Sequence, residues 1–434
     1  MRTAIGRLRA NTAKPVRLLA GRAGWNVADQ LVSSGTNVAL SLLVARSLTT
    51  DGFGAFSVAF TVYSFLIAAN RALIFQPLVV RYTSAAPDDY RAAAGAAAGA
   101  TAVLGLLAGS ATALLGLALG AILGSSLLCI GILLPGLLLQ DMWRLIFMAE
   151  GRPAAAFAND SVWGVVQFAT VGAIVARHHQ SAPALILGWG GAALAAALFG
   201  IHQFQARPQL GGSFRWFWRQ RDLLGYYGAG FLTVMGANQI TLLLIAALGA
   251  PADVGALRAA AVVLGPLNIA GYSMSAFALP EVSRRQLKGA QAIKVGVAIS
   301  GVMLLADAAW GAALLGMPDG VGVKLLGDSW ANAQSVLPAS LFGLTAIGAT
   351  LGATIVMTAR GFARDTFWTT AILAPGLLLF GLTGLQLSGA PGAAAGLALA
   401  QWLVTPLVWW RVLALLRREE RYSREKTRVT PNSG

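Results

Sequence analysis

Apolar residues in this chain fall into about twelve long stretches, and most polar side chains collect at the ends of those stretches instead of alternating within them. About 20 apolar residues suffice for a helix to cross the roughly 30 Å hydrocarbon core. Within that core only a helix or a closed barrel satisfies its own backbone. The pattern predicts spans at 25–45, 53–80, 92–118, 121–147, 158–176, 183–204, 225–249, 254–280, 291–316, 333–358, 366–387 and 391–416. No β-barrel alternation is visible, so the expected fold class is an all-α, polytopic membrane protein. Its first span is long enough to cross, which argues against a cleavable signal peptide.

The cations sharpen this reading. Of 32 Lys and Arg residues, 27 lie in the N-terminal arm, every second connection and the C-terminal tail; the intervening connections hold only Arg46, Arg177 and Lys324. Translocation of positive charge is disfavoured during insertion, so the alternation predicts both termini in the cytoplasm. The net charge of +15 is then this bias summed over the chain and calls for no nucleic-acid partner. The resulting division is a basic arm (1–24), a six-helix bundle (25–204), a cytoplasmic linker (205–224), a second six-helix bundle (225–416) and a basic tail (417–434).

The two halves look related. At an offset of 201 residues NVALSLLVA (Asn37 to Ala45) falls on NQITLLLIA (Asn238 to Ala246). After a two-residue insertion PLVVR falls on PEVSR, and LLP ending at Pro135 falls on VLP ending at Pro338. A parallel repeat of six helices is a transporter architecture. Small residues four apart (Gly95/Gly99, Gly105/Gly109, Gly116/Gly120/Gly124, Gly348/Gly352, Gly392/Gly396) read as close helix packing. The basic and aromatic run FRWFWRQRD (Phe214 to Asp222) reads as an interfacial belt.

Several chemistries are absent. There is one cysteine, Cys129, and His178, His179 and His202 lack metal-site neighbours, so neither a disulfide framework nor a metal is expected. No P-loop occurs, no catalytic residue is evident, and no cofactor is expected. The informative residues are the polar ones inside spans, where a charge costs about 2.5–3.5 kcal/mol and so faces a cavity or a partner.

In the first span Asp29, Ser33, Asn37 and Ser41 share a face, as expected of a wet cavity wall, and Asp160, Trp163, Gln167 and Thr170 repeat that pattern in the fifth. Arg71, beside Asn70, and Arg258 are the two basic residues assigned to spans; Arg144, Lys294 and Arg411, at the cytoplasmic ends of theirs, are counted with the connections and tail. Arg71 and Arg258 read either as cationic stations on a shared cleft, suited to a diphosphate, or as a structural ion pair and a snorkelling side chain. Asp141 and Arg144 are expected to pair with each other. Asp307 has no evident partner; with Asp29 and Asp160 it is a candidate for coupling or charge balance.

The runs GWNVADQLVSSGTNVALSLLVARSLTTDGFGAF, RALIFQPLVVRY, EGRPAAAFANDSVW and LLGDSWANAQSVLP resemble the polysaccharide (O-antigen) flippases of the multidrug, oligosaccharidyl-lipid and polysaccharide exporter superfamily. The resemblance implies twelve helices in two bundles around a central cavity at the cell membrane. These would move an undecaprenyl-diphosphate-linked oligosaccharide from the inner to the outer leaflet by alternating access, for cell-surface polysaccharide biosynthesis. It makes the lipid-linked glycan and the bilayer the partners and leaves open a polysaccharide polymerase or glycosyltransferase. By helix position Arg71 and Arg258 are the candidates to hold the diphosphate, with Asn37 and Asn70 beside the path. Two relatives stay open as alternatives. A multidrug cation antiporter calls for acidic cavity residues, and a lipid II flippase for an arginine in the first span, which this chain lacks. A membrane enzyme is not expected, because the longest outer loop, Met317 to Asn332, is short.

Overall fold

The computed structural model describes residues 36, 40, 43–44, 47–48 and 50–429, apart from 206, 250 and 327–328. The basic arm and most of the first predicted span, including Asp29, Ser33, Asn37 and Ser41, lie outside the described residues.

Among the described residues the chain is helical and contains no strand. The chain divides into two compact units, Met1–Leu224 and Gly225–Gly434. In the first unit α1 (Thr50–Asn70) passes through a π turn (Arg71–Phe75) into α2 (Gln76–Tyr82). Then follow α3 (Pro87–Leu119), α4 (Ala121–Glu150), α5 (Pro153–Ala176), α6 (Ala182–Phe204) and a short α7 (Ser213–Arg219). Helix α8 (Arg221–Leu248) starts in the first unit and continues into the second. The second unit goes on with α9 (Pro251–Arg285), α10 (Gly289–Leu315), a short α11 (Asp319–Leu326), α12 (Ser329–Ala359) and α13 (Ala363–Val429). Helix α13 is two spans joined at a break, where Ser388 and Gly389 leave helical geometry.

Local chemistry explains the ends. Pro sits in the first turn of α3, α5 and α6, where a missing N–H costs nothing. Asp88 and Asp89 occupy the positive end of α3. Gly151 ends α4 with φ 82°, a left-handed cap for which glycine is suited. At the break in α13 the Ala390 N–H donates to Asp253 Oδ1 at 2.9 Å, so a carboxylate from α9 caps the twelfth predicted span.

Two features go beyond the sequence expectation. The loop 317–332 contains α11, held by Trp330 Nε1 donating to Asp319 Oδ1 at 3.2 Å, with the Trp330 ring lying where a Gly322 side chain would be. In the basic tail α13 runs on to Val429, and Arg360 forks onto both Glu419 oxygens at 2.9 Å, tying the extension to the end of α12.

Each unit packs around the fourth predicted span of its half. Helix α4 touches α1, α3, α5 and α6, and α12 touches α9, α10 and α13. Both carry an internal proline, Pro135 and Pro338. The first core gathers Phe56, Tyr63, Leu134, Leu137 and Trp189; the second gathers Leu264, Met303, Leu337 and Ala394. Lipid tails are as apolar as these side chains, so backbone approach matters as much as burial. A Cβ on Gly109 would run into the Gly131 carbonyl, and one on Gly352 into the Gly296 carbonyl. Gly384 and Gly392 approach each other in the same way. Gly95 and Gly99 do something else: they seat the backbone around Gln209, whose N–H donates to the Gly95 carbonyl at 3.0 Å.

Candidate functional site

The membrane interior of the first unit holds a polar network. It begins where the α1 helix widens. Pro77 has no N–H for the carbonyl of residue 73, and its ring crowds that carbonyl. The preceding five residues, Arg71–Phe75, open into a π turn. Arg71 is the first of them. Its Nε and Nη2 donate to Asp141 Oδ2 and Oδ1 at 2.9 and 2.6 Å, a bidentate fork onto α4. The Asp141 side chain is 4% exposed and the Arg71 side chain 31%.

Asp141 and Arg144 do not pair with each other. Each reaches a different neighbour: Asp141 takes Arg71 from the α1–α2 helix, and Arg144 Nε lies 3.1 Å from Asp160 Oδ2 on α5. Two interhelical pairs match the four charges, where an intrahelical pair would leave Arg71 and Asp160 without these partners. Gln140 Nε2 donates to Asp160 Oδ1 at 2.8 Å and to Asn159 Oδ1 at 3.3 Å. Asn159 Nδ2 in turn reaches the Ala196 carbonyl at 2.9 Å and Gln203 at 3.0 Å. Asn70, fully buried, accepts from Thr101 Oγ1 at 2.9 Å, and its Nδ2 has no acceptor among the described residues.

In the fifth-span stripe Gln167 is buried, and its Nε2 has no acceptor among the described residues. Trp163 Nε1 donates to the Trp189 carbonyl at 3.2 Å and Thr170 Oγ1 to that of Gly188 at 3.0 Å, both on α6. The first-span stripe with Asp29 and Asn37 lies outside the described residues.

In the second unit Arg258 is exposed on α9 and has no acceptor among the described residues. Asp307 is the opposite case. It is fully buried on α10, and neither carboxylate oxygen has a hydrogen-bond partner among the described residues. It lies over Gly348 of α12, where a Cβ would overlap Oδ2, with Met303 beside it.

Thus the structure brings Arg71, Asn70 and Asp160 into one unit and places Arg258 and Asp307 in the other. Sequence reasoning missed Gln140, Asn159 and Gln203 as members of the network. The available signal was the clustering of Gln140 with Asp141 and of Asn159 with Asp160 inside apolar runs.

The chain is thus helical, with two compact units and charge pairs inside the helices of the first. The fold is that of the twelve-helix MATE transporters of the MOP superfamily. A MATE transporter in its bent conformation superposes with TM-score 0.73 at 12% identity, over 94% of this chain and 97% of that one. A Vibrio cholerae MATE transporter, VcmN, gives 0.70 at 15% identity over 94% and 98%. A MOP superfamily transporter from Pyrococcus furiosus, described as having a binding pocket of reverse polarity, gives 0.69 at 11% identity over 91% and 95%. These neighbours are transporters, not enzymes. No protein-family model and no curated protein matches the chain.

Proposed function

We propose that this chain is a flippase of the cell membrane, with both termini cytoplasmic, that carries an undecaprenyl-diphosphate-linked oligosaccharide from the inner to the outer leaflet by alternating access. The observation that carries this reading is Arg71: a guanidinium inside a spanning helix, forked on Asp141, with its side chain partly exposed. An incoming diphosphate offers the same pair of oxygens as the carboxylate does, so substrate capture is an exchange of one oxyanion partner for another. The polar neighbours suit a charged headgroup, and both membrane-interior carboxylates described in this unit, Asp141 and Asp160, already face an arginine.

The test is genetic and chemical. Cells lacking the gene are expected to accumulate a lipid-linked saccharide on the cytoplasmic side, and Arg71→Ala, inserted normally, is expected not to clear it. Absence of any such lipid would remove the reading.

Asp307 favours a second reading, a cation antiporter of the same superfamily, because an unmatched interior carboxylate is what a cation needs. In that case loss of the gene would sensitise cells to organic cations and leave surface glycans unchanged.

A further inference from the structure

The first unit contains a cavity that the proposed transport site does not use. The segment 207–221 folds over the start of α3 and encloses about 440 Å³, lined by Arg81, Arg215 and Arg219 against a single carboxylate, Asp89. The cover is fixed: Gln209 is bonded to Gly95, and Gly99 is bare because a side chain there would overlap the Gln209 backbone. Arg81 is also fixed, donating to the Arg219 carbonyl at 2.6 Å and pairing with Asp222. Arg215 and Arg219, one turn apart on α7, have no acceptor for their guanidinium groups among the described residues.

Apolar groups share this lining with the charged side chains. Trp216 and Tyr82 pack ring on ring at 5.9 Å on one side. On the other, Ala92 and Ala96 of α3 present a smooth wall leading up a spanning helix. At the rim Leu210, Phe214 and Trp218 are exposed. Arginines beside exposed aromatic residues at the start of a span have the composition of a membrane–water interface, where basic pockets hold anionic headgroups.

We propose that this cavity binds an anionic membrane phospholipid. Arg215 and Arg219 grip the phosphate oxygens, and the alanine wall of α3 carries the start of an acyl chain. A free phosphate ion offers the same oxygens but leaves that wall uncovered. The lipid is a resident of the fold, and its site does not depend on which substrate the transporter moves.

The experiment uses the full-length protein in neutral detergent, with short-chain phosphatidylglycerol, phosphatidylcholine and inorganic phosphate as probes. Bound lipid is read by native mass spectrometry and by the thermal midpoint. Phosphatidylglycerol is expected to stay bound and raise the midpoint, and phosphatidylcholine is not. The pair R215Q/R219Q is expected to weaken retention at least tenfold, while Arg177→Gln, in a distant connection, leaves it unchanged. Ala92→Trp, which fills the wall and keeps both arginines, is expected to expel the lipid as well. Equal retention by wild type and R215Q/R219Q would overturn the site. Displacement of the lipid by millimolar inorganic phosphate would show a phosphate-ion site and overturn the lipid assignment.

Discussion

Arg71 and Asp141 stand 70 positions apart in the chain and meet as a two-bond fork inside the membrane. Removing one partner leaves the other buried and unmatched, which costs about 3–5 kcal/mol, whereas replacing both with apolar residues of similar size is often neutral or stabilising. We therefore expect Arg71→Ala and Asp141→Ala each to lower the thermal midpoint sharply, and the R71M/D141L pair to recover it. The recovered pair is expected to be inactive in flipping. A stable and fully active R71M/D141L protein would show that the guanidinium serves packing alone. Arg71→Lys keeps the charge and loses the fork, so partial stability with poor transport is the expected outcome.

The contact between Gly348 and Asp307 makes a separate prediction. A methyl group on Gly348 meets the buried carboxylate, so Gly348→Ala is expected to cost about 1–3 kcal/mol by overpacking. Asp307→Gly, introduced as the second change, opens the space and is expected to recover most of that loss. Independent, additive losses in the two variants would rule out the contact.

The division of cations predicts orientation. Single cysteines at Gln180 and Asp328 are expected to react with a membrane-impermeant maleimide from outside, and those at Asp88 and Gly211 only after permeabilisation. External labelling at Gly211 would reverse the segment that carries α7.

The driving force is also measurable. An anionic lipid diphosphate leaving an inside-negative cell gains about 2.3 kcal/mol per charge per 100 mV, so two charges gain roughly 4.6 kcal/mol. Flipping in reconstituted vesicles is expected to follow the imposed potential and to change little with a proton gradient at fixed potential. Transport that ignored the potential and stopped in Asp307→Asn would instead assign the coupling to a cation on α10.

The helices were legible in the sequence because each one must present an uninterrupted apolar length to lipid. For the same reason the spans 92–118 and 121–147 fall inside α3 and α4. The partners of the charges were not legible. Nothing in the spacing of Asp141 and Arg144 says that each turns outward to another helix, since an i,i+3 pair is equally good chemistry when no neighbour competes. Glycine spacing was similarly ambiguous: Gly105 and Gly109 receive a helix, while Gly95 and Gly99 receive a loop, and the four-residue interval is the same. The sequence offers no evident partner for Asp307, and its position against Gly348 needed the fold.

The π turn has a consequence for register. A widened turn absorbs one residue beyond the α-helical count, and one residue corresponds to a rotation of about 100°. Helical-wheel positions computed straight through 53–80 are therefore out of phase on one side of Arg71–Phe75. Deleting a single residue from that segment would leave the span long enough to cross the membrane and nearly unchanged in hydropathy. The turn would close to α geometry, and Asn70 and the Phe56–Tyr63 face would keep their setting against the half anchored at Pro77. For this helix a one-residue gap in an alignment marks the presence or absence of the widened turn, not a change of face.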